Sequence, residues 1–387
     1  MRRSTEQILT THAGSLPRPA PLVEAYARRS SGQTIDDDAL ARIVSVATDE
    51  AVHRQLEAGI HVGNDGEQCR EGFFLYLQHR LSGFGGSWER KLPQDVARYP
   101  QYQQQRAAAA AGRPSVSNFS PPEAIAEVRH VDPDAMGREC AAFAATMARQ
   151  DTTFIEPFIT APSPGIVAAA MRNQWYDSEE NYLNALADCL RIEYKAVINA
   201  GFVLQIDAPD LALEKHIGFQ DQPIASFVNF VDLVIEAINR ALDEIPSDRV
   251  RLHVCWGNYE GPHDCDVALS EILPSILRTH VGAFMLPFAN PRHAHEMNCF
   301  DEKTLGDDRM LIAGVVDVTS NFVEHPEVIA ERIERAARAI GDPTRVMAGT
   351  DCGFDTSAGM GRVAGDVAWA KLASMAEGAK LASDRLL

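Results

Sequence analysis

The sequence predicts an α/β protein built as a single (β/α)8 barrel, the fold also called a TIM barrel. Short runs rich in β-branched and aromatic residues alternate with amphipathic helical stretches through most of the 387 residues. Eight runs qualify as strands, a number that fits a closed barrel better than an open doubly wound sheet. Polar residues gather where these runs end, on the face where barrels of this kind build their active sites.

The N-terminal third carries a strand, a long helix and an irregular region. Residues 8–19 (ILTTHAGSLPRP) predict a strand that leads into a turn, and residues 37–58 show the spacing of an amphipathic helix. Residues 60–67 (IHVGNDGE) are the first of the eight counted strands. The polar region about 72–113 is expected to pack as an insertion of loops and short helices over one end of the core. Its AAAAAGR stretch is too short for a linker, so residues 1–387 are expected to form one domain.

The remainder of the chain supplies the regular alternation of strands and helices. The other seven strand candidates are residues 115–119 (SVSNF), 153–165, 202–210, 249–258, 281–291, 310–321 and 345–354. Amphipathic helices are predicted between or after them at residues 179–201, 228–245, 325–341 and 366–383. Alternation at this spacing indicates βα units and a parallel sheet. The Gly-x-Gly-x-x-Gly turn of a dinucleotide-binding sheet does not occur.

The bulk composition excludes several classes of partner. The formal net charge of −18 argues against binding to nucleic acid or to an anionic membrane surface. No apolar run approaches the roughly 20 residues of a membrane span, and no apolar stretch of a secretion signal follows the first arginines. Seven scattered cysteines do not resemble a disulfide framework. We therefore expect a protein of the reducing cytoplasm. Its oligomeric state stays open, a homo-oligomer included.

A candidate zinc site is the most specific chemical signal in the chain. His253 and Cys255 stand two residues apart at the end of a predicted strand, so their side chains point to the same side. Cys352 follows another strand, and the barrel would bring it to the same mouth. Three protein ligands with an open position describe catalytic zinc. The alternative is that the cysteines are small buried hydrophobes and the histidine is hydrogen-bonded in the core.

Other polar and aromatic residues near strand ends are candidates for substrate contacts. Glu67 and Asp207 would suit a cationic amine, although Asp207 could also cap a helix and Glu67 could be solvated. His12 is a candidate substrate contact that could instead hydrogen-bond the backbone. Trp175 is a candidate substrate contact that could instead simply pack against its neighbours. Arg292 is the best candidate for holding an anionic tail. The remaining histidines near strand ends are interpreted as solvated or supporting groups, with His293 left open: His263, His293, His295 and His325.

Six motifs in order along the chain resemble one known family. They are THAGSLPRP, GNDGEQ, LQIDAPDLA, HVCWGNYEGPH, FANPRH and GTDCGF. Together they resemble the cobalamin-independent methionine synthase family, in particular its C-terminal catalytic barrel and the single-barrel relatives of that barrel. The resemblance covers nearly the whole chain. It implies a (β/α)8 barrel whose zinc cofactor binds a small, homocysteine-like thiol as thiolate and presents it to an alkyl donor.

The resemblance also implies roles for individual residues. Those that match the family's zinc ligands are His253, Cys255 and Cys352. Those that match the turn contacting the thiol substrate are Gly14 and Ser15, and those that match the acids holding its ammonium group are Glu67 and Asp207. Zinc lowers the pKa of a bound protic ligand, so the metal fits the chemistry independently of the family.

Two positions depart from the family pattern. Pro287 stands where the synthase has a glutamate as the fourth zinc ligand, so water or another acid such as Glu271 or Glu296 would have to fill that position, or the metal is lost. The synthase also has a histidine, proposed as proton donor to the folate, after an acidic residue on the next strand. Here Asp317 is followed by Val and Thr.

These departures leave alternative functions open. The chain is also similar to epoxyalkane:coenzyme M transferase, which would add a sulfonated thiol to an epoxide and would favour Arg or Lys over a carboxylate pair. A zinc-free barrel acting as a lyase or a ligand-binding protein is a further alternative. The expected partners are a small-molecule thiol and an alkyl donor, and the sequence does not separate a folate, a corrinoid protein, a sulfonium or an epoxide.

Overall fold

A ring of parallel strands forms the centre of the computed structural model, which describes residues 1–117 and 120–387. The strands of the described chain are β1 (Leu81–Gly85), β2 (Glu123–His130), β3 (Phe158–Pro162), β4 (Val203–Asp207), β5 (Val250–His253), β6 (Ala283–Pro287), β7 (Met310–Val316) and β8 (Val346–Thr350). Strands β1 and β2 form a separate antiparallel sheet outside the ring. Strands β3 to β8 lie side by side in chain order and all pair in parallel. Every residue of these six strands is buried, as expected for a parallel sheet covered on both faces.

Two extended segments near the N-terminus complete the ring. The N–H group of Thr11 donates to Ala348 O of β8 at 2.8 Å, and Thr11 also pairs in parallel with Val62. On the far side, the N–H group of Phe158 in β3 donates to Gly63 O at 3.0 Å. These contacts join both edges of the six-stranded sheet, so eight extended segments surround the core. The predicted (β/α)8 barrel is confirmed.

One of the eight counted strands was wrong. Residues 115–117 are not in a strand, and residues 118 and 119 of the same candidate lie outside the described residues. The N–H group of Val116 donates to Ala358 O at 2.8 Å, in a loop near the chain's C-terminal part. The N-terminal run at residues 8–13 takes the barrel position instead, because its neighbours on both sides offer parallel backbone partners.

Helices cover the outside of the sheet. They are α1 (Ala20–Ser30), α2 (Asp37–Glu57), α3 (Gln94–Arg98), α4 (Pro100–Ala110), α5 (Ala135–Met147), α6 (Pro164–Ala170), α7 (Glu179–Asn199), α8 (Asp210–Leu213), α9 (Ile224–Ala241), α10 (Leu269–Ile276), α11 (Pro326–Ile340) and α12 (Gly365–Leu386). Asp36 starts α2 by accepting from two backbone N–H groups, and Ser178 starts α7 in the same way through one. Gly341 ends α11 with φ 75°, a left-handed conformation that glycine adopts without strain. No described helix is long and apolar enough to cross a bilayer.

The region after residue 72 forms more than loops and short helices. It contains a 3-10 turn (Leu75–His79), α3, α4 and strand β1. Strand β1 pairs antiparallel with β2 in a two-stranded sheet that was not predicted. Arg80 ties this layer to the barrel helices, because its guanidinium contacts Glu139 of α5 at 2.5 Å and Glu193 of α7 at 3.0 Å. Both acids are buried.

Candidate active site

A cavity opens at the carboxyl ends of the barrel strands. Its volume accessible to the centre of a water molecule is about 140 Å³. The predicted site residues that line it are Ser15, Glu67, Asp207, His253, Cys255 and Cys352. The rest of the wall is largely apolar and includes Phe73, Phe74, Ile166, Pro209, Leu213, Ile217 and Met360. A mostly apolar cleft with a few convergent polar groups is typical of a small-molecule site.

Three side chains of the types that bind metals meet at this cavity. One donor atom from each of His253, Cys255 and Cys352 lies within 4.8 Å of the others, and the two Sγ atoms are 3.5 Å apart. A tetrahedral zinc with Zn–S bonds of about 2.3 Å requires sulfur atoms roughly 3.8 Å apart, so the spacing fits. Burial and the nearby Arg251 lower the pKa of His253 to about 3, which keeps the imidazole neutral as a ligand must be.

The fourth position of this cluster has no protein ligand among the described residues. Pro287, in β6, pairs with Gly314 of β7 and carries no donor atom. Glu271 is exposed on α10. Glu296 is buried, but its Oε1 accepts from Leu269 N at 2.9 Å and its Oε2 faces a histidine. Neither acid therefore replaces the expected glutamate, and the cluster faces the open cavity.

Glu67 is held in an unusual conformation beside the cluster. Its backbone has φ 56°, in the left-handed region that is costly for a residue with a side chain. Its Oε1 accepts a hydrogen bond from Thr160 Oγ1 at 2.9 Å, while its Oε2 is buried without a hydrogen-bond partner in the described chain. Burial raises the pKa of Glu67 to about 7. One oxygen is thus fixed and the other is free for a ligand.

Asp207 supplies a second carboxylate on the same cavity. Its Oδ1 accepts from Gln205 Nε2 at 2.7 Å. Burial, and then the charge of Glu67, raise the pKa of Asp207 well above its usual range. Two buried carboxyl groups that repel each other favour a bound cation, because the cation stabilises the ionised form of both.

A chain of polar contacts sets the position of Glu67. Arg70 donates through Nη1 to Thr160 Oγ1 at 2.9 Å, so the hydroxyl proton of Thr160 is directed to Glu67. Gly14 lies against the same carboxyl group: a Cβ at this position would lie 2.6 Å from Glu67 Oε1. Glycine is therefore required for the close approach as well as for its φ of 118°.

The turn at Gly14 and Ser15 is anchored from behind and from the side. His12 does not line the cavity. Its Nε2 donates to Gln55 Oε1 at 2.7 Å and its Nδ1 accepts from Gly14 N at 3.2 Å. Burial lowers the pKa of His12 to about 4, in keeping with this neutral tautomer. Ser15 O accepts from Phe354 N at 2.8 Å, which ties the turn to the loop after β8. His12 is placed as a support of the turn instead of a substrate contact.

Two predicted contacts lie away from the cavity. Trp175 is 58% exposed in the loop after α6, and its backbone N–H group donates to Asn173 Oδ1 at 3.1 Å. Trp175 therefore does not line this cavity, and its role as a substrate contact stays a prediction. Arg292 donates to His263 O at 3.0 Å and braces a loop instead of facing a substrate tail. The guanidinium groups that do line the cavity, Arg90 and Arg362, were missed because neither follows a strand end.

Comparison with known proteins identifies relatives across nearly the whole chain. Residues 117–380 match the family model described as "Cobalamin-independent synthase, Catalytic domain". The chain is 24% identical over 378 residues to a methionine synthase of Sulfurisphaera tokodaii, an alignment that covers 97% of this chain and 93% of that protein. It is 26% identical over 373 residues to a methionine synthase of Thermococcus kodakarensis, covering 96% and 92%.

The fold has a close counterpart among solved structures. A B12-independent methionine synthase from Shewanella sp. W3-18-1, solved in complex with selenomethionine, superimposes with a TM-score of 0.71. The superposition covers 98% of each chain at 19% sequence identity. At this identity the likeness concerns the fold, and the chemistry has to be argued from the side chains present.

Proposed function

Because this chain belongs to the family of the cobalamin-independent synthase catalytic domain, we propose that it is a zinc-dependent methyl- or alkyltransferase acting on a small, amine-bearing thiol. Family membership makes it an enzyme of the transferase class. One observation carries the finer proposal: a three-donor metal cluster and a pair of buried carboxyl groups face the same cavity.

The donor set suits a catalytic metal. His253, Cys255 and Cys352 would hold the zinc, and the cavity side of the cluster leaves room for the sulfur of a substrate. Zinc bound there would supply Lewis acidity that keeps a thiol deprotonated at neutral pH. Because Pro287 stands where the family pattern has a glutamate, this cluster has one negative charge fewer than that pattern.

The chain's own residues would bind and orient the thiol. Glu67 and Asp207 would accept hydrogen bonds from the substrate ammonium group, whose charge offsets the repulsion between the two carboxylates. Ser15 also lines the cavity and would contact the substrate, and Gly14 leaves the space that this approach requires. Fixing the amine in this way would aim the sulfur at the alkyl donor and reduce the entropic barrier to transfer.

A sulfonated thiol is the second candidate substrate. Arg90 and Arg362 line the same cavity, and guanidinium groups suit a sulfonate. Arg90 is already paired with Glu214, however, and the carboxyl groups of Glu67 and Asp207 would repel an anionic thiol. We therefore favour an amine-bearing thiol over coenzyme M.

The test is a matrix of thiols and alkyl donors on zinc-loaded protein. Homocysteine, 4-mercaptobutyrate and coenzyme M would each be combined with a methylated folate, a methylcorrinoid, a sulfonium and an epoxide. We expect homocysteine to be alkylated much faster than its analogue without the amine. Failure of every thiol with every donor would overturn the proposal, and a preference for coenzyme M would favour the second candidate.

Metal analysis under reducing conditions tests the zinc itself. We expect about one zinc at this cluster in the wild type and its loss in Cys352→Ser. Cys299→Ser is the matched control, because Cys299 is a half-buried free thiol that does not line the cavity. Wild-type protein that binds no zinc through thiolates would favour the zinc-free lyase or ligand-binding alternative.

The working compartment that we propose is the reducing cytoplasm. All seven cysteines are free thiols in the structure, and the two that would bind zinc have to stay reduced to do so. The partners in this proposal are small molecules, the thiol and the alkyl donor.

A further inference from the structure

A second group of buried ligand-type side chains lies next to the thiol-containing cluster. Its members come from the segments that follow β4, β5 and β6, and their side chains are at most 6% exposed: His216, His263, Asp266, His293 and Glu296. Asp266 is at the centre: its Oδ2 lies 2.9 Å from His263 Nδ1 and 2.8 Å from His293 Nε2. One donor atom from each of these three residues falls within 4.8 Å of the others.

The two central histidines are oriented by partners on their far sides. His263 Nε2 lies 3.0 Å from Tyr259 O, which leaves Nδ1 to face Asp266. His293 Nδ1 faces Glu296 Oε2 at 3.5 Å, which leaves Nε2 to face Asp266. Metal-binding histidines are usually fixed in this way, with one nitrogen directed to a carbonyl or carboxylate and the other to the metal.

The outer contacts of this group are ion pairs of loose geometry. His216 Nδ1 lies 3.2 Å from Asp266 Oδ1, and His293 Nδ1 lies 3.5 Å from Glu296 Oε2, but none of these four atoms has a hydrogen-bond partner within the described chain. The side chains that carry them are at most 6% exposed. Asp266 Oδ1 is therefore a buried carboxylate oxygen that no hydrogen bond occupies, and it can accept a further ligand.

We propose that His263, Asp266 and His293 form a second metal site, distinct from the thiol-containing cluster, for a divalent first-row transition metal. Two imidazoles and one carboxylate are donors that favour Fe²⁺, Zn²⁺ or Co²⁺ over the softer Cu⁺. His216 and Glu296 support the site through Asp266 and His293.

Both sites share access to one small cavity. His263 and His293 line it together with Cys255 and Cys352. The second metal therefore has an open position that water or a small oxygen-containing ligand can occupy. This inference does not depend on the thiol chemistry proposed above, because none of its ligands contacts the proposed amine site.

Cobalt substitution distinguishes the two sites in the intact protein. Metal-free protein would be titrated with Co²⁺, followed by optical spectroscopy and metal analysis. We expect two Co²⁺ per chain, of which only one gives the intense near-ultraviolet absorption of a cobalt–thiolate bond. Binding of a single Co²⁺, with thiolate absorption only, would overturn the inference without any variant.

Two substitutions assign the sites. Asp266→Asn is expected to remove one Co²⁺ and keep the thiolate absorption, whereas Cys352→Ser is expected to remove the thiolate absorption and keep the other Co²⁺. Asp264→Asn, two residues from Asp266 and partly exposed, is the matched control and should leave both. Unchanged stoichiometry in Asp266→Asn refutes the second site. One Co²⁺ without thiolate absorption in the wild type, lost in Asp266→Asn, would refute the proposed zinc cluster and leave this inference standing.

Discussion

Glu67→Gln is expected to stabilise the metal-free, ligand-free protein above pH 7 while weakening the binding of an amine-bearing thiol. Burial raises the pKa of this carboxyl group from 4.5 to about 7. The folded state therefore holds the proton more tightly than the unfolded state. The contribution of the protonated carboxyl group to the free energy of unfolding is fully present below about pH 4.5, and it is lost as the pH rises through about 7.

The size of the effect follows from that interval. At about 1.36 kcal/mol per pH unit, the ionised carboxylate lowers the free energy of unfolding by up to roughly 3 kcal/mol at pH 8.5. Glutamine keeps an oxygen for the hydrogen bond from Thr160 but is still a polar group in a buried site. We therefore expect the substitution to raise the free energy of unfolding at pH 8.5 by about 1–2 kcal/mol, which is only part of that loss. With an unfolding entropy of about 2.1 cal/mol/K per residue, this raises the Tm by roughly 1–2.5 °C.

Urea unfolding at pH 5 and pH 8.5, followed by far-ultraviolet circular dichroism, checks this prediction. The gain should be present at pH 8.5 and should change to a loss of roughly 0.5–1.5 kcal/mol at pH 5, because Glu67 is protonated in the fold at that pH and the linkage then costs the wild type less than about 1 kcal/mol. Glu139→Gln is the matched control: it removes a buried acid whose pKa is lowered to about 2 in the fold, where Arg70 and Arg80 pair with its carboxylate. That variant should lose stability at both pH values.

Binding provides the second half of the same prediction. Loss of the charged acceptor should weaken the affinity for homocysteine by about 1.5–3 kcal/mol, roughly 10- to 100-fold, because charge-assisted hydrogen bonds contribute that much. The affinity for 4-mercaptobutyrate should hardly change. A Glu67→Gln protein that is less stable at pH 8.5, or equally stabilised at both pH values, would refute the electrostatic reasoning. Equal weakening of both thiols would refute the ammonium role.

Three further substitutions, the first with a matched control, have contrasting expected outcomes. Gly14→Ala should lower thiol affinity more than tenfold, because its Cβ would lie 2.6 Å from Glu67 Oε1. Gly32→Ala is the matched control, because Gly32 also has a positive φ of 79° but open space around it. Urea unfolding of that variant should show only a loss of about 1 kcal/mol in the free energy of unfolding. Pro287→Glu places a carboxylate where the family has its fourth ligand, so zinc loss to a chelator should slow at least tenfold, and an unchanged rate would contradict the site geometry. Trp175→Ala should change the KM for the thiol less than twofold, because the indole is exposed outside the cavity.

The parts of the fold and site that the sequence predicted are those governed by local rules. His253 and Cys255 point to one side because strand side chains alternate, and Cys352 reaches them because parallel strands end on the same face. The barrel itself follows from the strand and helix alternation. None of these inferences needs knowledge of which distant residues touch.

The differences between the sequence expectations and the structure concern distant partners. The run at residues 115–119 has the composition of a strand, but barrel membership depends on a parallel neighbour, and residues 8–13 occupy the position beside β8. His12 looked like a substrate contact because its anchor, Gln55, is 43 residues away in sequence. Trp175 and Arg292 lie in loops whose course the local pattern does not determine.

Backbone strain marks both candidate sites. In the described chain, three residues other than glycine have positive φ, and two of them are Glu67 and His263. Such conformations persist where surrounding contacts over-determine them. The N–H group of Glu67 donates to Asp65 Oδ1 at 2.9 Å, and that of His263 donates to Asp95 Oδ2 at 2.9 Å.

These two anchors have different origins in the chain. Asp65 belongs to the barrel segment that carries Glu67, whereas Asp95 belongs to α3 in the inserted region. The insertion therefore fixes the loop after β5 on which His263 and Asp266 lie, through Asp95 and through the hydroxyl of Tyr259, which donates to the same carboxylate at 2.6 Å. The barrel alone therefore orients the carboxylate site, whereas the barrel and the insertion together orient the proposed histidine metal site.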